Sequence, residues 1–141
     1  HRAQLVARGV RAVPGGMLGV VAGDGTAPAW REGSFDRALV DAPCSGLGAL
    51  RRRPESRWRR TPGDIRDLVP LQRALLDTAL TSVRSGGVVL YATCSPVLAE
   101  TVEVVEHVVR TRPDASWESH FQLWPHLDGC DGMYAAVLRR D

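Results

Sequence analysis

A chain of 141 residues has room for one domain with a buried core and not for two. Its hydrophobic fraction of 44% and charged fraction of 24% are those of a globular protein, which argues against disorder. No apolar run approaches the roughly 20 residues of a membrane helix. The net charge of +2 singles out no class of partner, but its distribution does: all 18 basic residues are arginine, and six of them fall within residues 51–60. Such a density suits either phosphate binding or a solvated face.

Residues 1–12 read as a helix with Leu5, Val6 and Val10 on one side. No signal peptide follows His1, and a chain that opens inside a helix without methionine is expected to be truncated. Leu18 to Ala22 reads as a short strand ended by Gly23-Asp24-Gly25, and Arg37 to Val40 as a second strand ended by Asp41. Thr61-Pro62-Gly63-Asp64 has a threonine cap followed by proline in the first turn, which starts a helix. Helical spacing continues from Ile65 to about Val83, and Pro70 is expected to break it in two. Ser85-Gly86-Gly87 reads as a turn. Val88 to Ala92 is an almost continuous apolar strand, of the kind found where both faces of a sheet are covered. Ala99 to Arg112 is a helix with a buried side at Val102, Val105, Val108 and Val109. Phe121 to Asp131 is loop-like, and Met133 to Leu138 is the last strand. This alternation predicts an α/β fold on a mostly parallel sheet.

Ligands of open α/β sheets bind beyond the carboxyl ends of the strands. Three strand ends carry reactive groups: Asp24, then Asp41 to Gly46 with Cys44, then Thr93 to Pro96 with Cys94. Two acids and two cysteines should therefore converge on one edge. Each also has an ordinary reading, the acids as turn formers or caps and a lone cysteine as a small buried hydrophobe, which is the expectation for Cys130. Cys44 and Cys94 differ because each follows a strand in a turn of Pro, Ser or Gly, where backbone amides lower a thiol's pKa. Three cysteines with no CxxC and no zinc spacing argue against a disulfide framework or a metal site, and for a reducing, cytoplasmic setting.

The runs Phe35-Asp36-Arg37-Ala38-Leu39-Val40-Asp41-Ala42-Pro43-Cys44-Ser45-Gly46 and Tyr91-Ala92-Thr93-Cys94-Ser95 carry a resemblance, together with Arg53-Pro54, Trp58, Leu123-Trp124-Pro125-His126 and Asp131-Gly132-Met133-Tyr134. With their cysteines 50 positions apart, these runs resemble the RsmB/Sun group of RNA (cytosine-5)-methyltransferases. The resemblance implies a Rossmann-like, S-adenosylmethionine-dependent fold, with residues 1–141 as the C-terminal part of its catalytic domain. It implies that Cys94 is the nucleophile and Cys44 the cysteine that assists release. It implies that Asp41 lies beside both cofactor and target cytosine, and that Asp24 contacts the cofactor adenine. Arg51, Arg52, Arg53, Arg57, Arg59 and Arg60, with Trp58, are then placed to hold RNA, ribosomal RNA first and transfer RNA as the alternative.

The family's first strand, glycine-rich loop and ribose-binding acid have no counterpart within residues 1–141, nor does the N-terminal RNA-binding domain of many relatives. The chain alone is therefore expected to expose apolar surface, bind S-adenosylmethionine poorly and be inactive. Three other readings compete. A non-catalytic RNA-binding remnant has no use for Cys44, Asp41 and Cys94 together. A transfer-RNA enzyme differs in parts outside these motifs. A DNA cytosine methyltransferase would carry its nucleophile at Cys44.

Overall fold

A computed structural model describes residues 2–10 and 19–141. Its elements run α1 (Arg2–Val10), β1 (Phe35–Asp41), α2 (Ser56–Arg59), α3 (Pro62–Ser82), β2 (Val83–Thr93), α4 (Val102–Thr111), β3 (Ala115–Leu123), α5 (Pro125–Asp128) and β4 (Met133–Arg140). Single 3-10 turns at Leu47–Ala49 and Leu98–Glu100 interrupt the two connections that bear the cysteines. His1, Arg11, Ala12 and Leu18 of the expected first helix and strand lie outside the described residues.

The sheet has the order β1-β2-β4-β3. β1 pairs with β2 in parallel, whereas β4 pairs antiparallel with both β2 and β3. The α/β architecture thus stands with a mixed sheet. The antiparallel pairings arise because β3 and β4 form a hairpin-like pair, and β3 occupies part of the stretch expected to be loop from Phe121 onward. Its outer half reads poorly as a strand because Glu118, Ser119, His120 and Phe121 are all exposed on the sheet's edge.

α3 begins as the sequence predicts. The Thr61 hydroxyl accepts from the Asp64 amide at 3.3 Å and the Asp64 carboxylate accepts from the Thr61 amide at 2.7 Å, a reciprocal cap. The expected break at Pro70 does not occur, and α3 runs unbroken to Ser82. Proline removes one hydrogen bond, to the carbonyl of Arg66 four residues back. Pro70 and Arg66 are both exposed, so water can replace that bond. Gln72, Leu76, Ala79 and Leu80 form the buried stripe that lies on the sheet. Leu76, Ala79 and Leu80 meet Val83, Val89 and Tyr91 of β2, Val104, Val105 and Val108 of α4, and Tyr134, Ala136 and Leu138 of β4 in one core.

The turn predicted at Ser85-Gly86-Gly87 is a bulge within β2. Phe35 pairs with Val83 and Arg37 with Val88, so β2 spends extra residues there, and Gly86 supplies a φ of 74°. The strand expected at Leu18–Ala22 is not formed by its described residues. Val21 is 67% exposed, and no described strand lies on the outer side of β1 to pair with. Instead, residues 24–33 are tied to α3: Trp30 Nε1 donates to Ser82 Oγ at 2.9 Å and the Gly33 amide to the Thr81 carbonyl at 3.0 Å. A groove of about 410 Å³ remains beside β1, lined by Trp30, Phe35, Leu39 and Leu75 among others. Among the described residues nothing covers this groove, and Leu39 is 67% exposed.

Candidate active site

The parallel pairing of β1 and β2 builds the site. Asp41 lies opposite Ala92, and the Ala42 amide donates to the Ala92 carbonyl at 2.9 Å, so both chains leave the sheet side by side at their carboxyl ends. The two loops are then stitched to a third. The Gly48 amide donates to the Cys94 carbonyl at 3.0 Å, and the Gly132 amide donates to the Gly48 carbonyl at 2.8 Å. A Cβ at residue 48 would lie 1.9 Å from the Gly132 carbonyl oxygen, so only glycine permits this approach.

The result brings Cys44 Sγ to 3.3 Å from Cys94 Sγ, with both thiols free. They share one hydrogen bond. The Cys44 pKa is raised by that bond and then by burial, which favours Cys44 as the member that holds the proton. Cys94 accepts, which lowers its pKa to about 6 against the opposing effect of burial and of the Asp41 and Glu100 charges. Cys94 is thus the member of the pair poised as a thiolate near neutral pH.

Behind the sulfurs lies a group the sequence reading missed. Glu100, wholly buried, accepts from the Ser45 amide at 2.7 Å and from Gln72 Nε2 at 3.2 Å on one oxygen. Its other oxygen accepts from the Ser45 hydroxyl at 2.5 Å and the Ser95 hydroxyl at 2.6 Å. The serines are the residues directly after the two cysteines. Gln72 also donates to the Pro43 carbonyl at 2.9 Å, and Tyr91 donates its hydroxyl to the Glu100 carbonyl at 2.9 Å. Burial pushes the Tyr91 hydroxyl up, which keeps it a donor. A signal did exist: Glu100 stands four residues before Val104 and eight before Val108, in register with the buried stripe of α4.

Both cysteines open on a cleft of about 930 Å³ that is also lined by Asp24, Asp41, Arg53 and Leu75. The four residues expected to converge therefore do so. Asp24 gets there by a turn rather than a strand end. Its carboxylate accepts from the Thr26 amide at 2.9 Å and hydroxyl at 2.8 Å, and the amide bond foremost holds its pKa below the usual carboxylate value. A Cβ at Gly25 would lie 2.7 Å from Leu75 Cδ2, so this turn packs closely against the side chains of α3.

The arginine segment divides. Arg51 donates to the Gly129 carbonyl at 2.5 Å, Arg52 to Asp131 Oδ2 at 2.6 Å and Arg60 Nε to the Ser45 carbonyl at 2.9 Å, so these three brace the loops. Arg53, Arg57 and Arg59 are exposed, and Trp58 is 82% exposed with the Arg57 guanidinium 5.3 Å from its ring centre. Cys130 is half-buried, not the buried hydrophobe expected, because it sits in the exposed turn after α5 with Sγ 3.4 Å from the Asp131 carbonyl.

A sequence profile of the family described as 16S rRNA methyltransferase RsmB/F matches residues 1–139. The chain belongs to the RsmB/F methyltransferase family. Among curated RsmB/F relatives and their kin, it is 51% identical to the putative methyltransferase Rv1407 of Mycobacterium tuberculosis, over 99% of this chain and 33% of that protein. It is 39% identical to ribosomal RNA small subunit methyltransferase B of Pectobacterium carotovorum, over 82% of this chain and 29% of that protein. The chain thus spans about a third of the length of these relatives. Among solved structures it resembles PH0851, with a TM-score of 0.75 and 30% identity over 77% of this chain and 27% of that one. It also resembles NSun6 from Pyrococcus horikoshii with SFG, an S-adenosylmethionine analogue, with a TM-score of 0.64 and 29% identity over 72% of this chain and 29% of that one.

Proposed function

We propose that residues 1–141 are the C-terminal part of the catalytic domain of an enzyme that methylates cytosine C5 in RNA, ribosomal RNA first, from S-adenosylmethionine through a cysteine adduct. The observation that carries this reading is the 3.3 Å pair of free thiols on a cleft that also holds Asp41. Metal-free hydrolysis or simple RNA binding has no need of two cysteines held so, whereas C5 methylation uses one to activate the ring and one to restore it.

The geometry supports the following chemistry. Cytosine C5 is a weak nucleophile. The Cys94 thiolate adds to C6, the C5–C6 π electrons move toward C5, and N3 takes up a proton from solvent in the cleft that Asp41 lines. S-adenosylmethionine, when bound, supplies an electrophilic methyl group, and C5 takes it. Loss of the C5 proton to a base re-forms the C5–C6 double bond and expels Cys94 as thiolate, and N3 returns its proton to solvent. Cys44 suits that base. While Cys94 is a thioether, neither its acceptance of the Cys44 proton nor its negative charge holds the Cys44 pKa up. The target base reaches the pocket by leaving its stack.

The cleft fits the co-substrate in kind. Its volume is within the range of small-molecule sites, Asp24 offers a carboxylate to an adenine amino group, and Leu71 and Leu75 offer an apolar wall. Arg53, Arg57 and Arg59 would meet RNA phosphates and Trp58 a base.

The test is covalent trapping. Residues 1–141 replace the matching third of the Mycobacterium tuberculosis relative, and the composite protein is incubated with S-adenosylmethionine and ribosomal RNA. Cys44→Ser is expected to accumulate an RNA adduct on a denaturing gel, and Cys94→Ser to form neither adduct nor methylated base. Methylation that persists without Cys94 would sink the assignment, and turnover lost only with Cys44 would move the nucleophile to that residue. The 141-residue chain alone, with no described strand on the outer side of β1, is expected to bind S-adenosylmethionine more weakly than micromolar in a calorimetric titration.

A further inference from the structure

Glu100 is buried beneath the cysteines, touches neither sulfur, and plays no part in the chemistry above. Its surroundings are nonetheless specific. A carboxylate accepts hydrogen bonds and donates none, and all four contacts to this one are donors: the Ser45 amide, the Ser45 and Ser95 hydroxyls and Gln72 Nε2. The two hydroxyls belong to different loops and converge on the same oxygen, and they lie 3.4 Å from each other. Ser45 and Ser95 are each one residue past a cysteine, so a separation fixed between the serines fixes the separation of the sulfurs. The parallel ladder ends at Asp41 and Ala92, before either cysteine, and the Gly48 amide bond to the Cys94 carbonyl holds the backbone of only one of the two, so the serine contacts are the side-chain tie that involves both cysteine turns.

We infer that Glu100 is a positioning residue for the cysteine pair: one buried carboxylate clamps the loop after β1 to the loop after β2 through Ser45 and Ser95, and so holds Cys44 within hydrogen-bond reach of Cys94. A clamp of this kind must be shaped for two loops at once. Aspartate, a methylene shorter, does not reach both serines. Glutamine keeps the volume but presents an N–H₂ where one set of donors already points. As a statement about the RNA reaction the inference rests on the function proposed above; as a statement about the thiols it does not.

The distinguishing readout is the pH dependence of Cys94 alkylation, because charge and position act on it with opposite sign. The groups that bear on Cys94 are Cys44 and Asp41 from the β1 side, Glu100 from its own connection, and Arg52, whose guanidinium feels the Cys94 charge. The Glu100 charge by itself raises the Cys94 pKa, so its simple removal would lower the alkylation midpoint. Loss of the clamp removes the Cys44 hydrogen bond, the largest cause of the depression, and would raise it.

The 141-residue chain and its variants would be alkylated with iodoacetamide across pH 5–10 and the Cys94 peptide quantified by mass spectrometry, with thermal unfolding followed in parallel. Glu100→Gln is expected to shift the midpoint upward and slow alkylation at pH 6.5 by about tenfold. Ser95→Ala, which changes no charge and deletes one hydroxyl, is expected to shift it the same way, and it decides the matter if Glu100→Gln does not fold. In a Cys44→Ala background, Glu100→Gln should no longer raise the midpoint, since the bond it protects is gone. An unchanged or lowered midpoint in folded Glu100→Gln or Ser95→Ala, or an upward shift that persists without Cys44, would overturn the inference. No RNA or S-adenosylmethionine enters this assay. A raised midpoint alongside absent RNA methylation would therefore leave the clamp standing and sink the proposed reaction alone.

Discussion

Cys44 Sγ lies 3.3 Å from Cys94 Sγ across 50 residues of chain, and the bond between them pushes the Cys44 pKa up and the Cys94 pKa down. That single bond divides the roles of two residues of the same type. The depressed Cys94 pKa means that its thiolate is present above about pH 6 and lost below it. Replacing Cys44 by alanine removes the donor. The Cys94 alkylation midpoint is then expected to rise toward the ordinary thiol value of about 8.5, and alkylation at pH 6.5 to slow by tenfold or more. A midpoint that stays near 6 in Cys44→Ala would show that something other than the sulfur pair activates Cys94.

Gly48 is the point where three loops meet. Alanine there puts its Cβ 1.9 Å from the Gly132 carbonyl oxygen and 2.9 Å from that of Cys94, both backbone atoms with no freedom to turn aside. Gly48→Ala is expected to lose stability by about 1–3 kcal/mol or more, as overpacking does, and to part the sulfurs. Thermal unfolding reads the first effect and Cys94 alkylation the second. A variant with wild-type stability would show that the loops relax more freely than their hydrogen bonds imply.

Gln72 joins α3 to the site, with Nε2 bonded to the Pro43 carbonyl and to Glu100. Leucine has similar volume but no donor. Gln72→Leu is expected to cost about 1–3 kcal/mol in chemical denaturation, the penalty of leaving a buried acceptor unpaired. A neutral result would mean that Ser45 and Ser95 satisfy Glu100 without it.

Arg53, Arg57 and Arg59 differ from their neighbours in being exposed without bracing a loop. In the composite protein, alanine at each is expected to weaken RNA binding evenly across sequences. Each should also reduce the slope of log affinity against log salt by about one. Filter binding between 50 and 300 mM salt measures both. Arg52→Ala should in addition loosen the turn at Asp131, to which Arg52 is bonded, and so lower stability where the other three do not.

Local signals located most elements because each rests on chemistry within a few residues. Thr61, Pro62 and Asp64 cap α3 by contacts three residues apart, and the apolar run at Val88–Ala92 forms part of β2, although only Val89 and Tyr91 are buried and Val88, Leu90 and Ala92 on the other face are half-buried. Pro70 misled because its cost depends on whether a helix face meets water, which no neighbour in sequence records. β3 was missed for a related reason. Its residues are polar on an edge, and their strand conformation is imposed by β4 beside them. Of the site, Asp24, Asp41, Cys44 and Cys94 were legible from their places at the ends of apolar runs, although Asp24 arrives by a turn of its own. Glu100 was not, because an acid inside a helical stretch ordinarily faces solvent.

By itself the sequence determined which reactive groups this protein has and that they gather at one end of a sheet, since strand ends follow from apolar runs and the cysteine motifs lie beside them. Only the tertiary structure decided that the two thiols meet and shift each other's pKa in opposite directions, which arginines are left to meet a partner, and that a buried carboxylate joins the two loops. Those outcomes depend on distances of a few ångströms between residues 15 to 79 positions apart, and hydrogen bonds and charge effects at that range are set by packing rather than by order along the chain.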